Sequence, residues 1–314
     1  MDFNYIGLDD FLLASLREDV GAGDITTNSC VPEAAVSTGT FIAKAPGVIC
    51  GLGVITRLFA LLDGAVCITP IVIDGAPVER GDVIASITGP SRSILTGERT
   101  ALNILQHMSG VATGAAAAVA AVKGAYPGNE CASAAINAGE AIGKNAINSE
   151  SSTSEGAVTS VGAKIVDTRK TIPGLRALDK YAVRCGGGAN HRFNLSDGVL
   201  IKDNHIIAAG GITEAVRLAR SGSPHTLKIE IETETIAQVE EALSAGADII
   251  MLDNMTTQMM ADAVRLIGGR ALTEASGNMG ERDLKEVAGT GVDFISIGAL
   301  THSVKALDIS LKFS

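Results

Sequence analysis

The chain has 314 residues, 46% of them hydrophobic and 19% charged, and its formal net charge is −10. This length suits one large domain with an appendage, or two domains, and the composition excludes a largely disordered protein. The acidic balance excludes a general nucleic-acid-binding protein, which needs a net basic surface. The sequence shows no signal peptide and no apolar run of about 18 residues, so we expect no membrane segment. Five cysteines without metal-ligand spacing predict reduced thiols and a cytoplasmic protein.

The first third of the chain predicts a small domain rich in short strands. Residues 8–18 have the apolar spacing of an amphipathic helix, and residues 18–27 form a turn region rich in Gly, Asp and Thr. Between residues 36 and 90, glycines interrupt short strand-like runs. A helix follows over 96–113, with Thr96 as its predicted N-cap. These elements predict an N-terminal α+β domain over residues 1–113.

The next fifty residues differ in composition from the rest of the chain. Residues 114–163 consist largely of Ala, Gly, Ser, Asn, Thr and Glu, with little periodicity. We interpret the start of this segment as the end of the preceding helix and 127–160 as a low-complexity surface insertion. Since the cost of closing a loop rises slowly with its length, we expect a short linker to replace this insertion without loss of activity.

Residues 164–314 alternate between strand and helix patterns. Six apolar runs, each followed by polar residues or glycine, begin near residues 164, 198, 226, 248, 271 and 293. Helical patterns separate most of them, as in parallel α/β folds. Polar groups follow every predicted strand, whereas an open doubly wound sheet concentrates them at one switch point. The pattern therefore favours a barrel.

The ends of these runs carry the candidate functional residues, because the carboxyl ends of barrel strands converge on one mouth. Early runs end in cations, such as Arg169, Lys170 and Lys202, and later runs end in the carboxylates Glu232 and Asp253. The last two runs end in small residues, typical of a phosphate cradle built from backbone N–H groups. Carboxylate oxygens suit Mg²⁺, so the pattern predicts transfer chemistry on a phosphorylated sugar.

Several long motifs resemble the quinolinate phosphoribosyltransferase family. They are GERTALNILQHMSGVAT, DTRKTIPGLRALDKYAVRCGGGANHR, SDGVLIKDNHI, EIE, MLDNM, EASGN and SIGALTHS, with EDVGAGDITT near the start. The resemblance covers nearly the whole chain outside 115–163. It implies an α/β protein with an N-terminal α+β open-sandwich domain and an incomplete TIM-like α/β barrel over 164–314, with the C-terminal tail able to pack on the first domain.

The resemblance also implies an activity and a set of site residues. The family joins quinolinate to phosphoribosyl pyrophosphate, releasing CO₂ and pyrophosphate and giving nicotinate mononucleotide for NAD biosynthesis. The implied cofactor is Mg²⁺, held mostly through the substrate pyrophosphate and water by Glu232 and Asp253. Those two residues, with Lys170 and Lys202, are the implied catalytic residues. The implied substrate-binding residues are Arg99, Arg169, His191, Arg192, Lys202, Ser276, Gly277, Asn278, Gly298 and His302.

In the family, the equivalent of Arg99 reaches in from a partner subunit, which implies a homodimer or higher homo-oligomer with shared active sites. Asn278 departs from the family pattern, which has a second glycine at this position. Glu230 is interpreted as an outward or core-facing neighbour of Glu232, on the opposite side of its strand.

Three other functions remain open from the residues alone. One is a phosphoribosyltransferase of the same fold that acts on another acceptor, such as nicotinate. Another is a non-catalytic anion-binding paralogue, against which the retained carboxylates Glu232 and Asp253 argue. The third is an aldolase-type barrel in which Lys170 or Lys202 forms a Schiff base, although no further motif supports it.

Overall fold

A computed structural model describes residues 5–123 and 162–314. The predicted insertion at 127–160 lies outside the described residues. The N-terminal domain contains the helices α1 (Leu8–Val20), α2 (Ile25–Cys30), α3 (Leu52–Leu62) and α4 (Ser91–Val122). Its strands are β1 (Val36–Ala43), β2 (Gly47–Val48), β3 (Cys67–Pro70), β4 (Pro77–Val78) and β5 (Val83–Pro90).

The C-terminal tail of the chain returns to this domain. Strand β12 (Ile309–Phe313) pairs antiparallel with β1 and completes a sheet in the order β12-β1-β5-β3. β2 and β4 form a separate two-stranded sheet. Helices α1, α3 and α4 supply most of the buried apolar side chains that pack against the larger sheet. The two ends of the chain therefore share one hydrophobic core.

Two sequence predictions in this domain are wrong. Thr96 does not cap a helix, because α4 begins directly after Pro90 at the end of β5, and the Thr96 hydroxyl donates to Asp24 instead (3.3 Å). Helix α3 lies where short strands alone were predicted. Its first two N–H groups, those of Gly51 and Leu52, donate to the Asp74 carboxylate (3.0 and 3.1 Å). That cap is distant in sequence, so no local helix-start signal marked it.

Helix α4 connects the N-terminal domain to the C-terminal one. An 18-residue window of this 32-residue helix reaches a mean hydropathy of 1.2, enough to pass for a membrane span by length and composition. Half of that window is buried in the protein, and the helix supplies buried residues to both hydrophobic cores. The same signal is expected of a central core helix. The absence of a membrane segment stays a prediction.

All six strands predicted for the C-terminal part are present. They are β6 (Lys164–Val166), β7 (Val199–Ile201), β8 (Ile229–Thr233), β9 (Ile249–Asp253), β10 (Leu272–Ser276) and β11 (Phe294–Ser296). The helices are α5 (Arg176–Cys185), α6 (Asp203–Ala209), α7 (Ile212–Gly222), α8 (Ile236–Ser244), α9 (Thr257–Ile267), α10 (Leu284–Gly289) and α11 (Ala299–His302).

These strands form one parallel sheet in the order β6-β11-β10-β9-β8-β7. The first two strands along this part of the chain, β6 and β7, are therefore its two edges. Side chains from all six strands nevertheless line one cavity of about 360 Å³: Val166, Val199, Glu230, Ile249, Glu274 and Phe294. The sheet curves almost into a ring, as the predicted incomplete barrel requires.

Candidate active site

A second cavity, of about 280 Å³, opens at the carboxyl ends of the barrel strands. It is lined by five of the predicted site residues that carry a cation or an imidazole: Arg169, Lys170, His191, Arg192 and Lys202. Ser276 lies on its opposite wall. The loop after β6 supplies the first two, the segment before β7 supplies the next two, and the residue after β7 is the last. The mouth therefore concentrates positive charge in a protein with a net charge of −10.

A buried ion pair holds two of these segments together. Asp167 is fully buried, and its carboxylate accepts hydrogen bonds from Lys180 Nζ, Asn190 Nδ2 and the His191 N–H (3.0 Å). Lys180, 2% exposed, also donates to the His191 carbonyl oxygen (2.9 Å). Burial raises the pKa of Asp167, and the three donors partly offset that rise. Asp167 lies two residues before Arg169, and its partners hold His191. The pair therefore fixes the two segments that carry Arg169 and His191.

The floor of the mouth is a second buried cluster. His191 Nε2 lies 3.0 Å from Glu230 and 3.6 Å from Glu274, while its Nδ1 accepts the Arg192 N–H (2.7 Å). The Nε2 proton therefore points at the carboxylates. Burial alone would lower the pKa of His191, but the hydrogen bond to Glu230 and the charge of Glu274 outweigh it and raise that pKa. Burial, followed by the charge of Glu230, raises the pKa of Glu274 to about 7.

The predicted placement of Glu230 is wrong. Residues two apart on a strand point to the same side. Glu230 and Glu232 accordingly both face the barrel interior, at successive levels. Glu230 lies at the level of His191, and Glu232 lies nearer the mouth, where it accepts from Lys202 Nζ (2.8 Å). Sequence reasoning missed Glu230 through this error of periodicity, and it gave Glu274 no role.

Two arginines in the mouth have unused capacity to bind an anion. Arg192 donates one N–H group to the Gly198 carbonyl oxygen (2.9 Å), and the buried Nε of Arg169 has no hydrogen-bond partner among the described residues. Burial and the neighbouring Arg169 charge lower the pKa of Arg192. Neighbouring cations in a desolvated position are costly unless an anion meets them. This arrangement can therefore hold a small molecule with more than one negative charge.

The two carboxylates predicted to act on the sugar lie at the ends of adjacent strands, at the rim. Glu232 is bound to Lys202, and Asp253 accepts from Asn254 Nδ2 (2.6 Å). Both side chains are partly exposed and offer carboxylate oxygens, the ligands that Mg²⁺ prefers. This donor set fits a magnesium ion that is shared with a substrate phosphate.

Backbone conformation dominates the opposite side of the mouth. Gly277 has φ +91°, and a Cβ atom there would lie 2.3 Å from Asn254 Oδ1. Asn278 has φ +52°, a left-handed conformation that Asn tolerates better than most residues, so it can replace a glycine here.

The loop after β11 meets the cationic side. A Cβ on Gly298 would lie 3.1 Å from Lys170 Cδ and 3.2 Å from His302 Cδ2. A Cβ on Gly280 would lie 2.9 Å from Ala299 Cβ, so the two glycine-containing loops also touch each other. The structure thus brings Lys170, Gly298 and His302 together, beside the loop of Ser276, Gly277 and Asn278.

Arg99 is the predicted site residue that the fold does not bring to the mouth of its own chain. It is exposed on α4 in the N-terminal domain and does not line the cavity. The positioning residues Lys180 and Asn190 were missed by sequence reasoning. In the sequence, Lys180 is one of several charged residues of a helix and Asn190 lies just after a run of glycines. Neither pattern indicates a role without the fold.

Comparisons with known proteins find relatives along nearly the whole chain. Models of the quinolinate phosphoribosyl transferase N-terminal and C-terminal domains match residues 24–109 and 147–312. A probable nicotinate-nucleotide pyrophosphorylase [carboxylating] of Bacillus subtilis is 41% identical over 98% of this chain and 94% of its own length. The Mycobacterium leprae nicotinate-nucleotide pyrophosphorylase [carboxylating] is 39% identical over 96% of this chain and 95% of its own length.

A crystal structure of NadC from Streptococcus pyogenes superimposes with a TM-score of 0.83 and 39% identity, covering 100% of this chain and 99% of that one. The nicotinate-nucleotide pyrophosphorylase of Francisella tularensis gives a TM-score of 0.82 at 35% identity, covering 100% and 99%. These superpositions cover both domains. Both domain models match the chain, and relatives match it along nearly its whole length. The chain therefore belongs to the quinolinate phosphoribosyltransferase family.

Proposed function

We propose that this protein transfers a phosphoribosyl group from phosphoribosyl pyrophosphate to quinolinate, with decarboxylation, giving nicotinate mononucleotide, CO₂ and pyrophosphate. The observation that carries this proposal is the cavity at the carboxyl ends of the strands, which is lined by Arg169, Lys170, His191, Arg192 and Lys202. Its volume of about 280 Å³ suits a small ring compound, and its charge suits two adjacent carboxylates. Planar guanidinium groups bind carboxylates in a bidentate manner, which orients the ring as well as holding it.

The rim carboxylates suit the sugar half of the reaction. As pyrophosphate leaves, positive charge develops at the ribose C1 atom, and Glu232 and Asp253 can stabilise it. Magnesium, when bound to these oxygens and the substrate, would neutralise charge on the leaving pyrophosphate. The glycine-containing loops at Gly277 and Gly298 approach closely enough to offer backbone N–H groups to the 5′-phosphate.

Decarboxylation can follow in the same pocket. Loss of CO₂ from the ring leaves a carbanion beside the positively charged ring nitrogen, and the cationic mouth stabilises it further. No step requires a nucleophilic side chain. A Schiff base at Lys202 is disfavoured, because its ammonium is engaged by Glu232 at 2.8 Å. Positioning and fixed charge supply most of the rate enhancement.

The complete site is proposed to need a second copy of the chain. Arg99 is exposed and away from the mouth, although it belongs to the family's acceptor-site motif. Exposed apolar side chains also adjoin the mouth in sequence: Ile172 follows Lys170, Phe193 follows Arg192, and Ile207 lies on α6 after Lys202. Contiguous exposed apolar patches mark protein interfaces, and the proposal places these side chains in one such patch. Two copies packed over these groups could each place Arg99 in the partner's mouth.

One assay tests the activity. Purified protein is mixed with quinolinate, phosphoribosyl pyrophosphate and Mg²⁺, and CO₂ release and nicotinate mononucleotide are measured together. Stoichiometric formation of both products is expected, and their absence from a folded protein would overturn the proposal. Mixing inactive Arg99→Ala with inactive Lys202→Ala tests the shared site, because hybrid dimers retain one intact mouth. No recovery after confirmed subunit exchange would contradict sharing.

A further inference from the structure

Two cysteines that the proposed reaction does not use lie together at the junction of the two domains. Cys50 lies two residues before Leu52, the first residue of α3, and Cys185 is the last residue of α5. Their sulfur atoms and one oxygen of Asp74 all lie within 4.8 Å of one another. Cys50 is fully buried, whereas Cys185 is partly exposed. The other cysteines of the described chain, Cys30 and Cys67, are exposed and belong to no such group.

The carboxylate beside these thiols already has a structural role. Asp74 Oδ1 accepts the N–H groups of Gly51 and Leu52 (3.0 and 3.1 Å), and its Oδ2 accepts the Tyr181 hydroxyl (2.9 Å). Its oxygens therefore start helix α3 and join it to α5. A thiophilic metal would have to compete with these three donors for its third ligand. Two thiols in mutual contact need no such rearrangement to react with each other.

The two thiols differ in reactivity. Burial raises the pKa of the Cys50 thiol, which stays protonated. The hydrogen bond from Cys50 lowers the pKa of Cys185. The thiolate is the reactive form, and reactive cysteines combine thiolate character with access to solvent. Cys185 has both, so it is the first to react, and Cys50 lies in position to resolve the product.

We propose that Cys50 and Cys185 are an oxidation site that closes to a reversible disulfide when a hydroperoxide reaches Cys185. The Cys185 thiolate attacks the peroxide and breaks the O–O bond. Cys185 becomes a sulfenic acid, and the leaving oxygen takes up a proton. The Cys50 thiol then attacks the Cys185 sulfur, its proton leaves with the displaced hydroxide as water, and the S–S bond forms. With hydrogen peroxide, two thiols and one peroxide give one disulfide and two waters.

This site is connected to the acceptor pocket by a short stretch of chain. Cys185 lies between Lys180, which holds His191, and the glycine turn that leads to His191 and Arg192. The turn is tightly packed against α4, since a Cβ on Gly186 would lie 2.3 Å from the Ala112 carbonyl oxygen. Bond formation draws the sulfurs to about 2.05 Å and pulls on this segment. Misplacing a binding group by about 1 Å can cost up to about 100-fold, so we expect oxidation to raise the KM for quinolinate about tenfold.

The test uses the full-length chain with Cys30, Cys67 and Cys131 replaced by serine, which leaves only the proposed pair. This variant and the natural chain are treated with a small excess of hydrogen peroxide. Intact mass, free thiols and the non-reducing peptide map are then measured. We expect loss of two hydrogens and both thiols in one monomeric chain, reversed by dithiothreitol. Cys185→Ser and Cys50→Ala, checked by thermal unfolding, should form no such disulfide.

Kinetics of the same samples test the connection to the pocket. Oxidation should raise the KM for quinolinate about tenfold, and reduction should restore it. Thiols that survive treatment, or disulfides only between chains, would overturn the oxidation site. An intrachain disulfide with an unchanged KM would overturn its effect on the pocket. That effect rests on the proposed function, whereas the mass and thiol measurements do not. An inactive reduced enzyme would therefore count against the function and not against the disulfide.

Discussion

The two sides of the barrel mouth differ in the groups that they present to the cavity. On the side of β6 and β7, charged side chains of Arg169, His191 and Lys202 line the cavity, and a buried Asp167–Lys180 pair fixes the backbone beneath them. On the side of β10 and β11, glycines and a left-handed Asn278 shape the loops. The first side offers a substrate charged side chains, and the second offers closely packed backbone, which in the proposed reaction would bind the 5′-phosphate. Substitutions should therefore fail in different ways on the two sides.

The largest effect is expected beneath the cationic side. Lys180→Met leaves the fully buried Asp167 carboxylate without its cation. Breaking a buried ion pair by removing one partner costs about 3–5 kcal/mol. We expect such a loss in the free energy of unfolding, together with weaker quinolinate binding, because Lys180 also holds the His191 carbonyl. Chemical denaturation and quinolinate titration measure the two effects. Lys285→Met, at an exposed position on α10, is the control and should change neither.

The buried cluster of His191, Glu230 and Glu274 at the floor of the mouth should affect how the stability of the protein depends on pH. The pKa of Glu274 is raised from its ordinary value of 4.5 to about 7, so the folded protein binds more protons than the unfolded chain between these values. Its contribution to stability is full below pH 4.5 and is lost as the pH rises through 7. This pH-dependent loss amounts to roughly 3 kcal/mol in the free energy of unfolding, and it should disappear in Glu274→Gln. Unfolding curves from pH 5 to 8 that run parallel for the two proteins would contradict this assignment.

Arg169→Lys separates charge from shape on the cationic side. An ammonium keeps the charge but cannot make the bidentate contact, so quinolinate binding should weaken by roughly 1.5–3 kcal/mol. The KM for phosphoribosyl pyrophosphate should change little. Arg217→Lys, in an exposed pair with Glu214 on α7, is the matched control. Near-normal quinolinate affinity in Arg169→Lys would place Arg169 outside the acceptor pocket.

The glycine side should respond to backbone changes. Gly277→Ala places a methyl group against Asn254 at a φ of +91° and should weaken phosphoribosyl pyrophosphate binding by about 1–2 kcal/mol. Quinolinate affinity should not change. Asn278→Gly is the control, since glycine adopts its φ of +52° without strain. Equal effects of both variants on both substrates would remove the distinction between the two sides.

Sequence reasoning predicted the parts of the fold that depend on local periodicity. The six barrel strands alternate with helices regularly, and their polar ends led to the prediction of Arg169 and Lys202, which line the cavity, and of Glu232 and Asp253 at its rim. Helix α3 could not be predicted in this way, because its cap, Asp74, lies more than twenty residues from its start. The roles of Lys180 and Asn190 depend on contacts across the fold for the same reason.

The central claim is that the cationic mouth is built for two carboxylates. The most direct measurement is the ratio of kcat/KM for quinolinate to that for nicotinate, which lacks one carboxylate, with saturating phosphoribosyl pyrophosphate and Mg²⁺. A site whose buried polar groups lose their partner rejects the analogue by about 10⁴-fold, and we predict a ratio of that order. Comparable values for the two acceptors would contradict the account.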